Sequence, residues 1–400
     1  MLLFCKSKGH KIMKKILHIA DLHLDSPFSA FDPLTAEAKR EGLRRTFRSA
    51  VKYARENDFS LLLISGDLYD GGFITRETAR MLCDELSSLA IPVVIAPGNH
   101  DPYVKFSLYE SRALPKNVFV FTEDKLDFFD FDELNIRVYG YAFCDKHLRQ
   151  SPLSGADVEP SGKINILCAH GDTESPLSPY APLSFAEISR LGFTYAALGH
   201  IHNPPPPQKE NGCVTAYSGF FDGRGFDELG YGSALAVTLL DDGGVDIEKL
   251  SFSTEKYEEV TLDAIGIEND TELCDKISGL IGSGGYDERV SLRIALRGNL
   301  PPDYIPDIPR LEETLGQNLA LLQIKDETTP LLSDTELKYD KTMRGELYRR
   351  LLPKLTSADP VEKETSLLAL KIALAALEGG EISSVINPKY NESEASPEWL

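Results

Sequence analysis

Five apolar runs constrain this chain most: KILHIA (15–20), SLLLIS (60–65), IPVVIAP (91–97), INILCA (164–169) and YAAL (195–198). Runs this short, with hardly a polar residue inside them, suit strands buried on both faces; a strand with one wet face would alternate. Two segments of helical period separate the first three runs. Residues 35–57 repeat through Leu43, Phe47, Val51 and Ala54, and TRETARMLCDELSSL spans 75–89. Such strand–helix alternation predicts parallel pairing with helices laid over the sheet. Farther on, NVFVF, IRVYGYAF, INILCAH, YAALGH, CVTAYSG and GSALAVTLL read mostly as strands, which predicts a second sheet packed on the first. The class is α/β.

Each of the five runs stops at a residue that can bind a metal ion or carry a proton. KILHIA leads into Asp21-Leu22-His23, SLLLIS into Gly66-Asp67, and IPVVIAP into Gly98-Asn99-His100-Asp101. INILCA leads into His170, and YAAL into Gly199-His200-Ile201-His202, after which Pro204–Pro207 stop any strand. In open α/β sheets ligands bind just beyond the carboxyl ends of the strands. Taken singly, these motifs fit caps, turns and polar loops. Five of them after five strands do not. Of the eight histidines, His18 sits inside an apolar run and reads as a core residue, while His10 and His147 read as surface residues. Carboxylate, imidazole and amide oxygen suit Mn, Fe or Zn better than copper. Two such ions, about 3.5–4 Å apart, can clamp a phosphate and activate a water. The seven donors Asp21, His23, Asp67, Asn99, His170, His200 and His202 meet the count for a pair, and His100 remains to protonate a leaving oxygen.

Charge narrows the classes. The net charge is −20, the opposite of a protein that holds nucleic acid by its own field, so bound cations would have to supply the attraction. At 400 residues the chain exceeds the roughly 250–300 that one core accommodates, which predicts two domains. Six dispersed cysteines without a CxxC pair argue against zinc ribbons and disulfide frameworks and fit a reducing cytoplasm. No apolar run approaches the roughly 18 residues of a membrane span. MLLFCKSKGHK is too short in apolar core for a secretory signal. It reads as a disordered lead-in, with Met13 as an alternative start, and NESEASPEWL at the other end also reads as disordered.

DLH, GDLYD, GNHD, the AHG histidine and GHIH, in this order, resemble the five-part signature of the calcineurin-like metallophosphoesterases. DLHLD and GDLYD further resemble the SbcD/YhaO-type DNA repair nucleases, over about residues 14–345. The resemblance implies a four-layer α/β/β/α sandwich of two mixed sheets, a small α+β capping domain and a helical C-terminal tail. It implies two divalent ions, Mn2+ in the first place with Fe, Zn or Mg as the other candidates. By similarity Asp21, His23 and His202 hold one ion, Asn99, His170 and His200 the other, and Asp67 bridges them. His100 would be the general acid, oriented by Asp101. Phosphoprotein phosphatases grip a monoester with arginines where this chain has Gly71 and Pro97, and purple acid phosphatases place a tyrosine where it has Asp70. Both monoesterase patterns are therefore broken. Some nuclease relatives have histidine at the Asp70 position, which puts a substrate contact there in doubt, and Asp25 reads as a cap or as a residue that supports the metal ligands from behind.

The expected domains are 14–254 for the phosphoesterase, 255–340 for the cap and 341–400 for the tail. The cap is expected as a β-α-β-α-β unit, with helices near 270–281 and 308–316 and loops at GSGG (282–285) and PPDYIPDIP. In the tail Met343, Leu347, Leu351 and Leu355 form one apolar stripe, and Leu367, Leu370, Leu374 and Leu377 another. Packing on the chain's own body is the default for these stripes. The resemblance adds docking on an SMC-like ATPase (SbcC/YhaN-type). The function implied is a two-metal phosphodiesterase, an exonuclease or endonuclease subunit acting on DNA in repair. Partners would be DNA, the ATPase and a second copy in a homodimer, with no membrane. The alternatives are a phosphohydrolase of nucleotides or small phosphodiesters, and a scaffold for the ATPase with vestigial cleavage, which the intact donor set disfavours.

Overall fold

Every side chain from Ile16 to Ile19 in β1 (Lys14–Ile19) is buried, because the strand has sheet on both edges and covered surface on both faces. The computed structural model describes residues 14–71, 74–111, 114–158, 161–301, 304–330, 339–355 and 357–377. Two units emerge, Met1–Arg224 with Tyr231–Thr254, and Gly225–Gly230 with Glu255–Leu400.

In the first unit α1 (Pro33–Glu56), β2 (Leu61–Ile64), α2 (Arg76–Ser87), β3 (Val93–Ile95) and β4 (Val118–Val120) follow β1. They are succeeded by β5 (Asp127–Phe131), β6 (Ile136–Gly140), β7 (Ile164–His170), α3 (Phe185–Arg190), β8 (Tyr195–Gly199), β9 (Gln208–Glu210) and β10 (Cys213–Tyr217). The unit closes with β11 (Ala234–Leu239) and β12 (Val245–Leu250). One six-stranded sheet runs β12-β11-β1-β2-β3-β4 and the other β5-β6-β7-β8-β10-β9. Both are mixed. In the first, β1 to β4 pair in parallel while β11 and β12 are antiparallel.

Alternation along each strand separates the layers. Leu17, Ile19, Leu62 and Ile64 face α1 and α2, whereas Ile16, Leu61 and Leu63 face Ile166, Cys168, Tyr195 and Ala197 of the second sheet. Leu167, Ala169, Ala196 and Leu198 point outward to Ile188 and Leu191 around α3. Helix, sheet, sheet and helix are thus stacked in four layers. On α1 the stripe Leu43, Phe47, Ala50, Val51 and Ala54 is buried at helical spacing, and each large member contributes roughly 1.5–3 kcal/mol. Asp32 caps that helix, accepting from the Leu34 and Thr35 amides at 3.0 and 3.3 Å, ahead of Pro33 in the first turn.

The second unit contains β13 (Lys256–Asp263), α4 (Asp270–Gly284), β14 (Val290–Arg297), β15 (Asn299–Leu300), α5 (Ile308–Leu315), β16 (Leu321–Asp326) and β17 (Thr329–Pro330). β13, β14 and β16 make a parallel sheet. GSGG differs from expectation: Gly282–Gly284 form the last turn of α4, and the chain turns only at Gly285, whose φ of 65° needs no Cβ. The tail is helical, as α6 (Met343–Leu355) and α7 (Pro360–Leu377). Leu370 and Leu374 are buried with Tyr348 against Leu347, Leu351 and Leu355. Half of the second leucine stripe is therefore spent inside this helical pair and is not presented to a partner. Lys371 Nζ pairs with Asp326 at 2.7 Å, tying α7 to the end of β16. The lead-in 1–13 and the end NESEASPEWL lie outside the described residues.

Candidate metal centre

The exits of β1 and β2 are laced together. Asp21 N donates to Gly66 O at 3.1 Å, and Leu22 N and His23 N both donate to Asp67 O at 2.9 Å. This lacing forces left-handed backbone on residues that carry donors: φ is 54° at Asp21, 46° at His23 and 51° at Asp67. Aspartate tolerates that region. His200, at φ 112°, has less excuse, and such strain, of order 1–3 kcal/mol per residue, gathers where a site dictates it. Close approach explains two glycines. A Cβ on Gly98 would stand 2.2 Å from Asp67 Oδ1, and one on Gly199 would stand 2.0 Å from Ser65 O.

The strand ends bring the predicted donors together. Asp21, His23 and His202 form one group, His23, Asp67 and His100 a second, and Asp21, Asp67 and His170 a third, with donor atoms in each within 4.8 Å of one another. His23 Nε2 lies 3.3 Å from His202 Nε2, and His202 Nε2 lies 3.9 Å from Asp21 Oδ1. Asp67 Oδ2 stands between the halves, 3.7 Å from His23 Nε2 and 3.4 Å from His170 Nε2. Asn99 Oδ1 is 2.9 Å from His170 Nε2. His200 belongs to none of the three groups; its ring lies 5.2 Å from that of His170, and its amide donates to both Asp21 oxygens at 3.1 Å.

Asp101 does not orient His100. Its carboxylate accepts from the amides of Gly98 (2.7 Å), Leu68 (2.7 Å) and Asp67 (3.1 Å) and from the Tyr109 hydroxyl. It is the buried knot of the Gly98–Asp101 loop. His100 Nδ1 pairs instead with Asp70 Oδ1 at 2.8 Å, and Asp70 Oδ2 accepts from Ser26 Oγ at 2.8 Å. The cause is directional. An aspartate adjacent to His100 points into the loop, whereas Asp70, at the end of GDLYD, faces the imidazole.

Electrostatics sharpen the picture. Burial holds the His23 imidazole well below its ordinary range, helped by the Arg224 charge, and burial lowers His200 to about 4. Both rings are neutral at pH 7, the form that donates a lone pair. Burial would raise the Asp67 carboxyl, but the charges of His170 and His100 outweigh it and hold that group below the usual range. Burial lifts Asp101 to about 7, with Asp67 adding to the effect. Burial also pulls on His100, but the Asp70 hydrogen bond and the Asp67 charge prevail and raise it to about 9.

The donor set fits divalent cations. His170 Nδ1 lies 2.9 Å from Ser65 O, which can only accept, so Nδ1 carries a proton and, in the neutral ring that binds a metal, Nε2 is the nitrogen with the lone pair. That lone pair converges with those of Asn99 Oδ1 and Asp67 Oδ2. Three acceptors facing one another in a buried setting are costly unless a cation joins them.

Other candidates fall elsewhere. His18 is fully buried, with Nδ1 2.8 Å from the Tyr195 hydroxyl. His147 is exposed and stacks on Tyr180, and His10 lies outside the described residues. Asp25 accepts from Thr75 N at 2.7 Å and from the Thr78 hydroxyl at 2.6 Å, so it anchors the start of α2. The roles of Asp70, Arg224 and Tyr109 are not legible in the sequence. Asp70 alone has a signal there, its place within GDLYD.

Two mixed sheets whose strand ends gather carboxylates and histidines around one centre define a metal-dependent phosphoesterase architecture. Residues 14–206 match the family described as calcineurin-like phosphoesterase, and the chain carries a calcineurin-like metallophosphoesterase domain. Among curated proteins it is 25% identical to the uncharacterized metallophosphoesterase YhaO of Bacillus subtilis, over 77% of this chain and 76% of that one. It is 24% identical to a subunit of the nuclease SbcCD of Staphylococcus epidermidis, over 61% of this chain and 68% of that one. It is 22% identical to the DNA double-strand break repair protein Mre11 of Methanopyrus kandleri, over 51% of this chain. The chain spans about half, 48%, of that relative's length. Among the described residues no helix is long and apolar enough to cross a membrane.

Proposed function

We propose that the chain is a two-metal phosphodiesterase and that its substrate is DNA, as a nuclease subunit of the SbcD/Mre11 kind. The observation that carries the reading is the convergence of His170 Nε2, Asn99 Oδ1 and Asp67 Oδ2 beside the Asp21–His23–His202 group. Asp21, His23 and His202 would hold one ion and Asn99, His170 and His200 the other, with Asp67 shared. Bound there, divalent ions supply Lewis acidity toward phosphoryl oxygens and lower the pKa of a water. Asp67 contributes the anionic charge that lets two dications lie close. Asp101 and Tyr109 hold the Gly98–Asp101 loop rigid under Asn99 and His100. Asp70 fixes His100 through Nδ1, so Nε2 is the ring atom that would hand a proton to the departing sugar oxygen. The side chain of His100 is 45% exposed, open enough for a substrate to reach it.

The α/β module of the second unit is proposed as the capping domain. Met343, Leu352 and Val361 are exposed on α6 and α7, 72%, 42% and 71% respectively, which supports docking of that helical pair on an SMC-like ATPase. The acidic charge of −20 favours a second reading, hydrolysis of small phosphodiesters. Purified protein would be incubated with labelled single- and double-stranded DNA and with bis-p-nitrophenyl phosphate, in Mn2+, Mg2+, Zn2+ or EDTA. Metal-dependent cleavage of DNA is expected. Cleavage of the small ester alone would move the function to the second reading, and no hydrolysis with any metal would end both.

A further inference from the structure

A phosphodiester carries a negative charge that the metals need not hold alone, and the two positions where phosphoprotein phosphatases place arginine are Gly71 and Pro97 here. A guanidinium reaches the same cluster from a different segment. Arg224 lies in SGFFDGRG, a turn-rich stretch after β10. Its Nη1 is 3.3 Å from Ser26 Oγ and 3.9 Å from Asp70 Oδ2, on the carboxylate that grips His100 through its other oxygen. The side chain is 21% exposed, so a ligand can reach it while much of its field escapes screening by water. That field is felt at both His23 and His100.

We propose that Arg224 is the substrate-binding cation of this centre, presenting its planar fork to the nonbridging oxygens of a phosphodiester beside His100. Guanidinium matches two oxygens of one phosphoryl group in a way that a lysine ammonium does not. The proposal rests on the phosphodiesterase reading and extends it to recognition of the phosphoryl group, whether that group belongs to nucleic acid or to a small diester. Asp70 then stands beside both, on the acid through Oδ1 and near the arginine through Oδ2.

The full chain loaded with Mn2+ would be compared with Arg224→Gln and Arg224→Lys. Metal content, binding of inorganic phosphate by calorimetry, and kcat and KM on bis-p-nitrophenyl phosphate and a labelled oligonucleotide would be measured. Arg224→Gln is expected to keep its metals, and to weaken phosphate binding and raise KM on both substrates by about 10–100-fold, the range of a lost charge-assisted contact. Arg224→Lys should recover part of the loss. Unchanged phosphate affinity with a displaced pH profile of kcat would show that Arg224 acts only through Asp70 and His100, and overturns the proposal. So would a KM defect on DNA alone, or loss of metal in both variants. If the parent hydrolyses neither ester yet binds phosphate in an Arg224-dependent way, the phosphodiesterase reading fails and the arginine assignment stands.

Discussion

Replacing Asp70 by asparagine isolates the pairing that sets the proton on His100. Burial opposes the charged imidazole, but the 2.8 Å contact to Asp70 and the nearby Asp67 charge leave it at about 9. At pH 8 a group with that pKa is about nine-tenths protonated, whereas an imidazole at the ordinary value of about 6.5 is about 3% protonated. Asp70→Asn should therefore lower kcat for DNA at pH 8 by roughly 30-fold, through the population of usable acid alone. Divalent ions lower both values together, so the more secure signature is displacement. The alkaline limb of the kcat profile should move down by roughly two and a half pH units. The kcat on bis-p-nitrophenyl phosphate, whose leaving group needs no proton, should be nearly untouched. An unmoved alkaline limb, or equal losses on the two substrates, would refute the argument.

Asp67→Asn should drop bound metal from about two ions per chain to below one by elemental analysis, because two close dications need an anionic bridge; a folded variant retaining two would remove the bridging assignment. Leu370→Glu with Leu374→Glu places charges where the parent residues are 0% and 2% exposed, at a cost of several kcal/mol. The isolated protein should melt earlier or aggregate, and an unchanged midpoint would mean that the α6–α7 contact contributes little. His18 concerns pH. Burial lowers its imidazole to about 3, so below about 6.5 the unfolded chain takes up a proton that the folded one refuses. Its stabilising contribution is whole above about 6.5 and is lost toward pH 3, at up to about 1.4 kcal/mol per pH unit. His18→Gln should flatten the acid limb of denaturation midpoint against pH, and an identical slope between about pH 6 and 4 would refute this.

Legibility followed burial. β1, β2, β7 and β8 could be read because both faces are covered and their central residues are nearly all apolar. β5 reads DFFDF, with exposed positions and aspartates that look like loop, and β9 is a three-residue edge strand directly after the prolines. Neither could be read. The donors were legible because strand ends are where a sheet can present them. What spacing could not reveal was side-chain direction. Asp101 is next to His100 in sequence yet turns to three backbone amides, and the partner of His100 comes from another strand exit. Arg224 was harder still, a single cation in a glycine-rich turn with no motif around it. The Leu370 and Leu374 stripe was plain as an apolar stripe, but a stripe does not say what covers it.

The pairing of β1 with β11 has a consequence for the order in which the protein is made. Lys14 stands opposite Leu239 and His18 opposite Leu235, so one edge of the strand that leads to Asp21 gains its neighbour only after all the residues of the second sheet have been synthesised. At equilibrium this separation costs little, since each doubling of a loop adds only about 0.6 kcal/mol. In time it costs more. While the nascent chain grows, β1 can add β2 on one side but offers its other edge, flanked by apolar side chains, to any strand that arrives first. A truncation ending near residue 224 would keep every donor discussed above and still leave that edge bare. Such a fragment is expected to be the aggregating one, and a fragment extended through Leu250 the soluble one.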